Sequence, residues 1–74
     1  MRHLRYTKHA RQRMAERNVT EDQVSKTIQN HHTTYTDPDG NRSYVDQIEG
    51  RQIRVVIVGD GVAGDVVVIT VIAD

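Results

Sequence analysis

Three side chains near the amino terminus stand at the spacing of one helix face: His9, Arg13 and Arg17. At about 100° per residue, a four-residue step advances about 40° around a helix, so the three form a slowly turning row beside the apolar Ala10 and Met14. A phosphodiester requires a row of this composition. Guanidinium forks neutralise phosphate oxygens, and an imidazole whose ordinary pKa lies near ~6.5 moves a proton at neutral pH. Where such a helix meets a sheet, the row is expected to flank the seam and reach over the sheet edge toward strand residues such as Tyr44 and Arg54. The plainer alternative is a solvated basic surface, with Arg17 completing the helix end against its dipole.

Other chemistries find less support. His31 and His32 are adjacent, so on a strand they point to opposite faces and cannot share one ion. His3 stands at the start of the chain, where order is usually low. There is no Cys, and no His-x3-His or acidic pair at ligand spacing, so neither a metal nor any other cofactor is expected. The glycines of residues 59–65 precede no helix that could present its dipole to a phosphate, which makes the segment a hairpin loop. No Ser or Cys nucleophile motif is present.

The elements that must position the row follow from caps and periodicity. Residues 7–17 contain no Gly, Pro or β-branched residue after Thr7, which suits an N-cap, and Asn18 suits a left-handed stop. A second helix begins at Thr20, whose capping box with Gln23 and staple of Val19 on Val24 are both in register. It should run to about Gln29 and bury Val24 and Ile28. After His31 the period changes to two. Residues 32–36 and 42–49 read as a hairpin around Asp37, Pro38, Asp39 and Gly40, Gly50 marks the next turn, and residues 52–58 and 66–72 form the last two strands. The expected fold is α+β: two N-terminal helices packed on a four-stranded antiparallel sheet in one small domain spanning residues 1–74.

The apolar residues are concentrated at the far end. Of 27 in the chain of 74 residues, 14 fall between Ile53 and Ala73. The last two strands do not alternate cleanly, so the sheet should carry a second apolar face with Val56, Val58 and either Val67 and Ile69 or their neighbours. Sheet curvature, a second copy or a partner is expected to close it. The amino terminus has no apolar core of a signal peptide, and three glycines break the apolar stretch at the other end, so a membrane is not expected and a cytoplasmic location is.

Net charge is zero, from 10 basic and 10 acidic groups. The sum hides a split: residues 1–17 hold six basic groups and one acid, and the remaining 57 hold four basic groups and nine acids. Long-range steering toward nucleic acid should therefore be weak, and any contact local to the first helix and Arg54.

The run of His9, Ala10, Arg13, Met14, Arg17, Val19 and Thr20 resembles the H-A-x-x-R-M-x-x-R-x-[IV]-[ST] opening of a bacterial family of small domains of unknown function. Residues 51–58 resemble that family's R-x-R-V-V-V strand, so the likeness covers nearly the whole chain. The family is in turn similar to the BrnT and RelE toxins of type II toxin-antitoxin modules, whose fold is barnase-like. The resemblance implies a metal-independent endoribonuclease acting through the RNA 2′-hydroxyl. It assigns His9 as general acid or base, Arg13 as a phosphate clamp and Arg54 as a second clamp, with Arg17, Tyr44 and Lys8 as substrate-binding residues. One departure is that RelE-type toxins are strongly basic and this chain is neutral. The partners implied are RNA, ribosome-associated mRNA included, and a cognate antitoxin; the apolar second face of the sheet is the expected docking surface, giving a stable hetero-complex or a homodimer. The rival readings are an inactive nucleic-acid-binding domain and a homodimeric interaction module.

Overall fold

The computed structural model describes residues 3–58 and 65–73. The order of elements is β1 (His3–Tyr6), α1 (Lys8–Arg17), α2 (Glu21–Asn30), β2 (Thr33–Thr36), β3 (Arg42–Ile48), β4 (Arg51–Val58) and β5 (Asp65–Ala73). No helix among the described residues is long and apolar enough to cross a membrane.

Both helices start as their caps dictate. The Thr7 hydroxyl accepts from Ala10 N–H at 3.0 Å. The Thr20 hydroxyl accepts from Gln23 N–H while the Gln23 side chain accepts from Thr20 N–H, each at 3.1 Å. The staple residues Val19 and Val24 are buried. At the end of α1, Asn18 adopts φ 58°, its N–H meets the Ala15 carbonyl, and Val19 N–H donates to the Met14 carbonyl at 2.8 Å. This is the Schellman closure that a left-handed Asn makes available. In α2 the fully buried pair is Val24 and Thr27, with Ile28 only half-buried. Thr27 can sit there because its hydroxyl donates to the Gln23 carbonyl at 2.8 Å, leaving its methyl to the core.

The sheet corrects the expected architecture. It has five strands in the order β1-β5-β4-β3-β2 and is mixed, because β1 pairs parallel with β5 while the other pairs are antiparallel. The unexpected strand is short and finds its partner about 60 residues away (His3 with Asp65, Tyr6 with Val68), so no local turn or hairpin pattern specifies it. Its Leu4 and Tyr6 pack at period two against the core, and Thr7 N–H continues the ladder to the Val68 carbonyl before its side chain caps α1.

The turn after Asp37 closes with Gly40 N–H on the Asp37 carbonyl. The next is a two-residue turn in which Glu49 and Gly50 both take positive φ, 54° and 82°, as a tight right-twisted hairpin requires. It sets Arg51 opposite Ile48. The loop of residues 59–64 lies outside the described residues.

One cluster forms the core: Ala10, Met14, Val19 and Val24 from the helical region meet Tyr44, Ile53, Val55, Ile57, Val66, Val68, Val71 and Ala73 from the sheet. The alternate residues face away from both helices. Among them Val45 and Val56 are buried, Val67 and Ile69 half-buried, and Tyr35, Val58 and Ile72 exposed by 41%, 44% and 47%. A bulge between Val56 and Ile57, opposite Ile69, interrupts the alternation of β5 and explains why the last strand reads as apolar on both sides.

Candidate functional site

His9, Arg13 and Arg17 make one wall of a groove of 280 Å³ whose other wall is Thr70, Val71 and Ile72 of β5. The caps create this arrangement: Thr7 joins β1 to α1 and donates its hydroxyl to the Ile69 carbonyl at 3.2 Å, which ties the start of α1 to β5. Burial of Ala10 and Met14 then turns the neighbouring row to the margin of the interface.

The groove is cationic in the side chains it presents. Arg13 donates to Glu16 at 3.1 Å, an exposed pair one turn apart that contributes only ~0.3–0.5 kcal/mol and is easily exchanged for another anion. Among the described residues, the side chains of His9 and Arg17 make no hydrogen bond or ion pair. Arg11, on another face of α1, is engaged elsewhere: it lies 3.6 Å from Glu21 and its guanidinium sits 5.0 Å from the Tyr6 ring centroid. Burial, with Glu21 nearby, holds the Tyr6 hydroxyl above its ordinary pKa, and Arg11 opposes this. Lys8 is exposed and is not part of the groove lining.

Tyr44 and Arg54 do not join the groove, contrary to the expected reach of the helix row. Tyr44 is buried in the core with its ring centroid 4.6 Å from that of His31. Arg54 alternates with Ile53 and Val55, so it projects from the helix-free face, where its guanidinium lies 5.1 Å from the Tyr35 ring centroid. Its Nε is buried with no hydrogen-bond partner among the described residues. The strand count alone could have placed it: Arg54 has the parity of Val56 and Val58, which were assigned to the second face.

The motif arginine that does meet α1 is Arg51. Its Nη1 donates to the Arg17 carbonyl and its Nη2 to the Asn18 carbonyl, both at 2.6 Å, with Gln23 Oε1 at 3.4 Å from Nη2. These are helix-end carbonyls that the Schellman closure leaves open, and the guanidinium brings positive charge to the negative end of the helix dipole. Arg51 therefore positions Arg17 and the corner between the helices. The other missed pair is His32 with Asp46, 3.3 Å apart and well away from the groove in the chain's topology.

Residues 6–73 match the family described as Domain of unknown function (DUF4258). No curated protein and no solved structure matches the chain.

Proposed function

The chain belongs to the DUF4258 family, and from the groove between its first helix and last strand we propose a metal-independent endoribonuclease of the toxin type, cleaving RNA through its 2′-hydroxyl. The observation that carries this reading is the single wall of His9, Arg13 and Arg17 beside an open strand edge. The groove of about 280 Å³ lies at the lower bound of the roughly 300–1,000 Å³ of small-molecule sites, and its row of cationic side chains suits a phosphate backbone segment.

In the proposed reaction His9 takes the 2′-OH proton, and the resulting oxyanion attacks the adjacent phosphorus. The bond from phosphorus to the 5′ oxygen breaks, leaving a 2′,3′-cyclic phosphate, and the imidazolium returns its proton to the departing oxygen. Arg13 and Arg17 hold the charge that collects on the non-bridging oxygens. Arg54 is not assigned to this site. Lys8 and Tyr44 are not assigned either, one because it stands outside the groove lining and the other because it is core. As a toxin the protein would be held inactive by a cognate antitoxin.

The test is incubation of purified protein with mixed RNA in EDTA, with His9→Ala alongside. A positioned proton-transfer group contributes about 10²- to 10⁴-fold, so the variant should lose that much cleavage while keeping its fold. Absence of cleavage by the wild type, with no growth arrest on induction, overturns the enzyme reading. The position of Arg54 on the opposite face favours one alternative, a domain that binds RNA at the groove without cutting it. RNA binding without cleavage would identify it.

A further inference from the structure

β5 outruns its outer partner. β1 pairs with residues 65–68, whereas β4 accompanies β5 to Ala73. Beyond Val68 the outer edge has the Thr7 hydroxyl on the Ile69 carbonyl and no strand among the described residues. In an antiparallel pair alternate residues turn both backbone groups away from their partner, so residues 70–73 offer donors and acceptors at strand spacing. Open edges of this kind are usually blunted by Pro or by charge on the strand itself. Here the open stretch carries neither: it reads Thr70, Val71, Ile72 and Ala73, with Ile72 47% exposed.

What borders the edge is the row on α1. His9, Arg13 and Arg17 succeed one another by four residues, a rise of about 6 Å per step. Same-side residues of an extended strand are about 6.8 Å apart. We propose that this edge is a docking site for an extended acidic peptide segment, which adds a strand along residues 69–73 and sets carboxylates of alternate residues against Arg13 and Arg17. An incoming carboxylate replaces the exposed Glu16 on Arg13. Charge decides against a second copy of this chain, since pairing two such edges brings two basic rows together. Backbone pairing decides against a nucleic acid, whose phosphates supply no alternating donors and acceptors. The segment occupies the groove assigned above to RNA and excludes it, but its own binding does not rest on cleavage.

The probe is the synthetic peptide Val-Glu-Val-Glu-Val-Glu-Val with blocked ends, compared with its Lys-for-Glu counterpart and with a form N-methylated at alternate residues. Amide shifts of the full-length protein are followed by NMR during titration. Shifts should centre on residues 69–73 and α1, and binding should weaken at least about tenfold for the N-methylated and Lys peptides. A double variant, Arg13→Glu with Arg17→Glu, should reverse the preference in favour of the Lys peptide. Equal binding of the N-methylated or Lys peptide, shifts centred on the other sheet edge at β2, or no shift up to ~1 mM peptide overturns the proposal. Cleavage of RNA by the free protein is measured separately, so that loss of one property with retention of the other refutes only the reading concerned.

Discussion

Replacing Arg51 with alanine removes a clamp that joins the start of β4 to the end of α1. Two guanidinium bonds of 2.6 Å disappear, and the Arg17 and Asn18 carbonyls revert to water. Hydrogen bonds to a charged group contribute about 1.5–3 kcal/mol when buried, but these carbonyls are solvent-accessible, so about 1 kcal/mol each is the better figure. The loss of positive charge at the helix end, typically ~0.3–1 kcal/mol, acts in the same direction. The total is about 2.5 kcal/mol. For a domain of this size 1 kcal/mol moves Tm by roughly 4–8 °C, which places Arg51→Ala about 10–20 °C below the wild type. Urea unfolding followed by circular dichroism measures the difference, with an unchanged slope against denaturant expected. Arg51→Lys keeps the charge but cannot fork between two carbonyls, and should recover about half the loss. An alanine variant within ~0.5 kcal/mol of the wild type, or a lysine variant equal to it, would falsify the role given to this side chain.

Three further outcomes follow from the same structure. Thr20→Ala removes the hydroxyl that accepts from Gln23 N–H, leaving the Thr20 backbone N–H to Gln23 half of the capping box in place, and should cost about 1 kcal/mol in the same unfolding assay; no measurable loss would show that α2 does not depend on its cap. The folded-state pKa of Tyr6 is raised, first by burial and then by Glu21, so its contribution is intact at neutral pH and is lost as pH rises above about 10, where the unfolded chain ionises first. Tyr6→Phe should therefore flatten the alkaline fall in stability, and identical alkaline profiles would contradict this. RNA affinity should fall with salt at a slope near −1.4, set by Arg13 and Arg17 at about 0.7 per contact, and Arg17→Ala should reduce it by about 0.7. A slope unmoved by that variant would remove Arg17 from the interface.

The helices were legible because their signals are local. Thr7, Asn18, Thr20 and Gln23 each satisfy a backbone group within a few residues, and all four do so in the structure. The hairpins were legible for the same reason, down to the turns at Gly40 and Gly50. The row of His9, Arg13 and Arg17 follows from helix periodicity once the helix is placed. The missing fifth strand had no such signal, because four residues beginning with His3 look like a frayed terminus until β5 supplies a ladder.

Pairing across long separations also decided which arginine does what. Sequence alone established an α+β chain whose first helix carries a basic, His-containing stripe and whose last strands hold most of the apolar mass. It placed Arg51 and Arg54 in one motif and gave the clamp role to Arg54, although Arg54 has the parity of Val56 and Val58 on the second face. Tertiary structure decided between them: the faces of Ile53, Val55 and Ile57 meet the helices, so Arg54 turns away to Tyr35. Arg51 shares the parity of the core residues and stands at the strand's end, where the helix corner offers it open carbonyls. The groove too is a product of unequal strand lengths, because β1 ends at Tyr6, opposite Val68, and leaves the rest of β5 facing His9, Arg13 and Arg17.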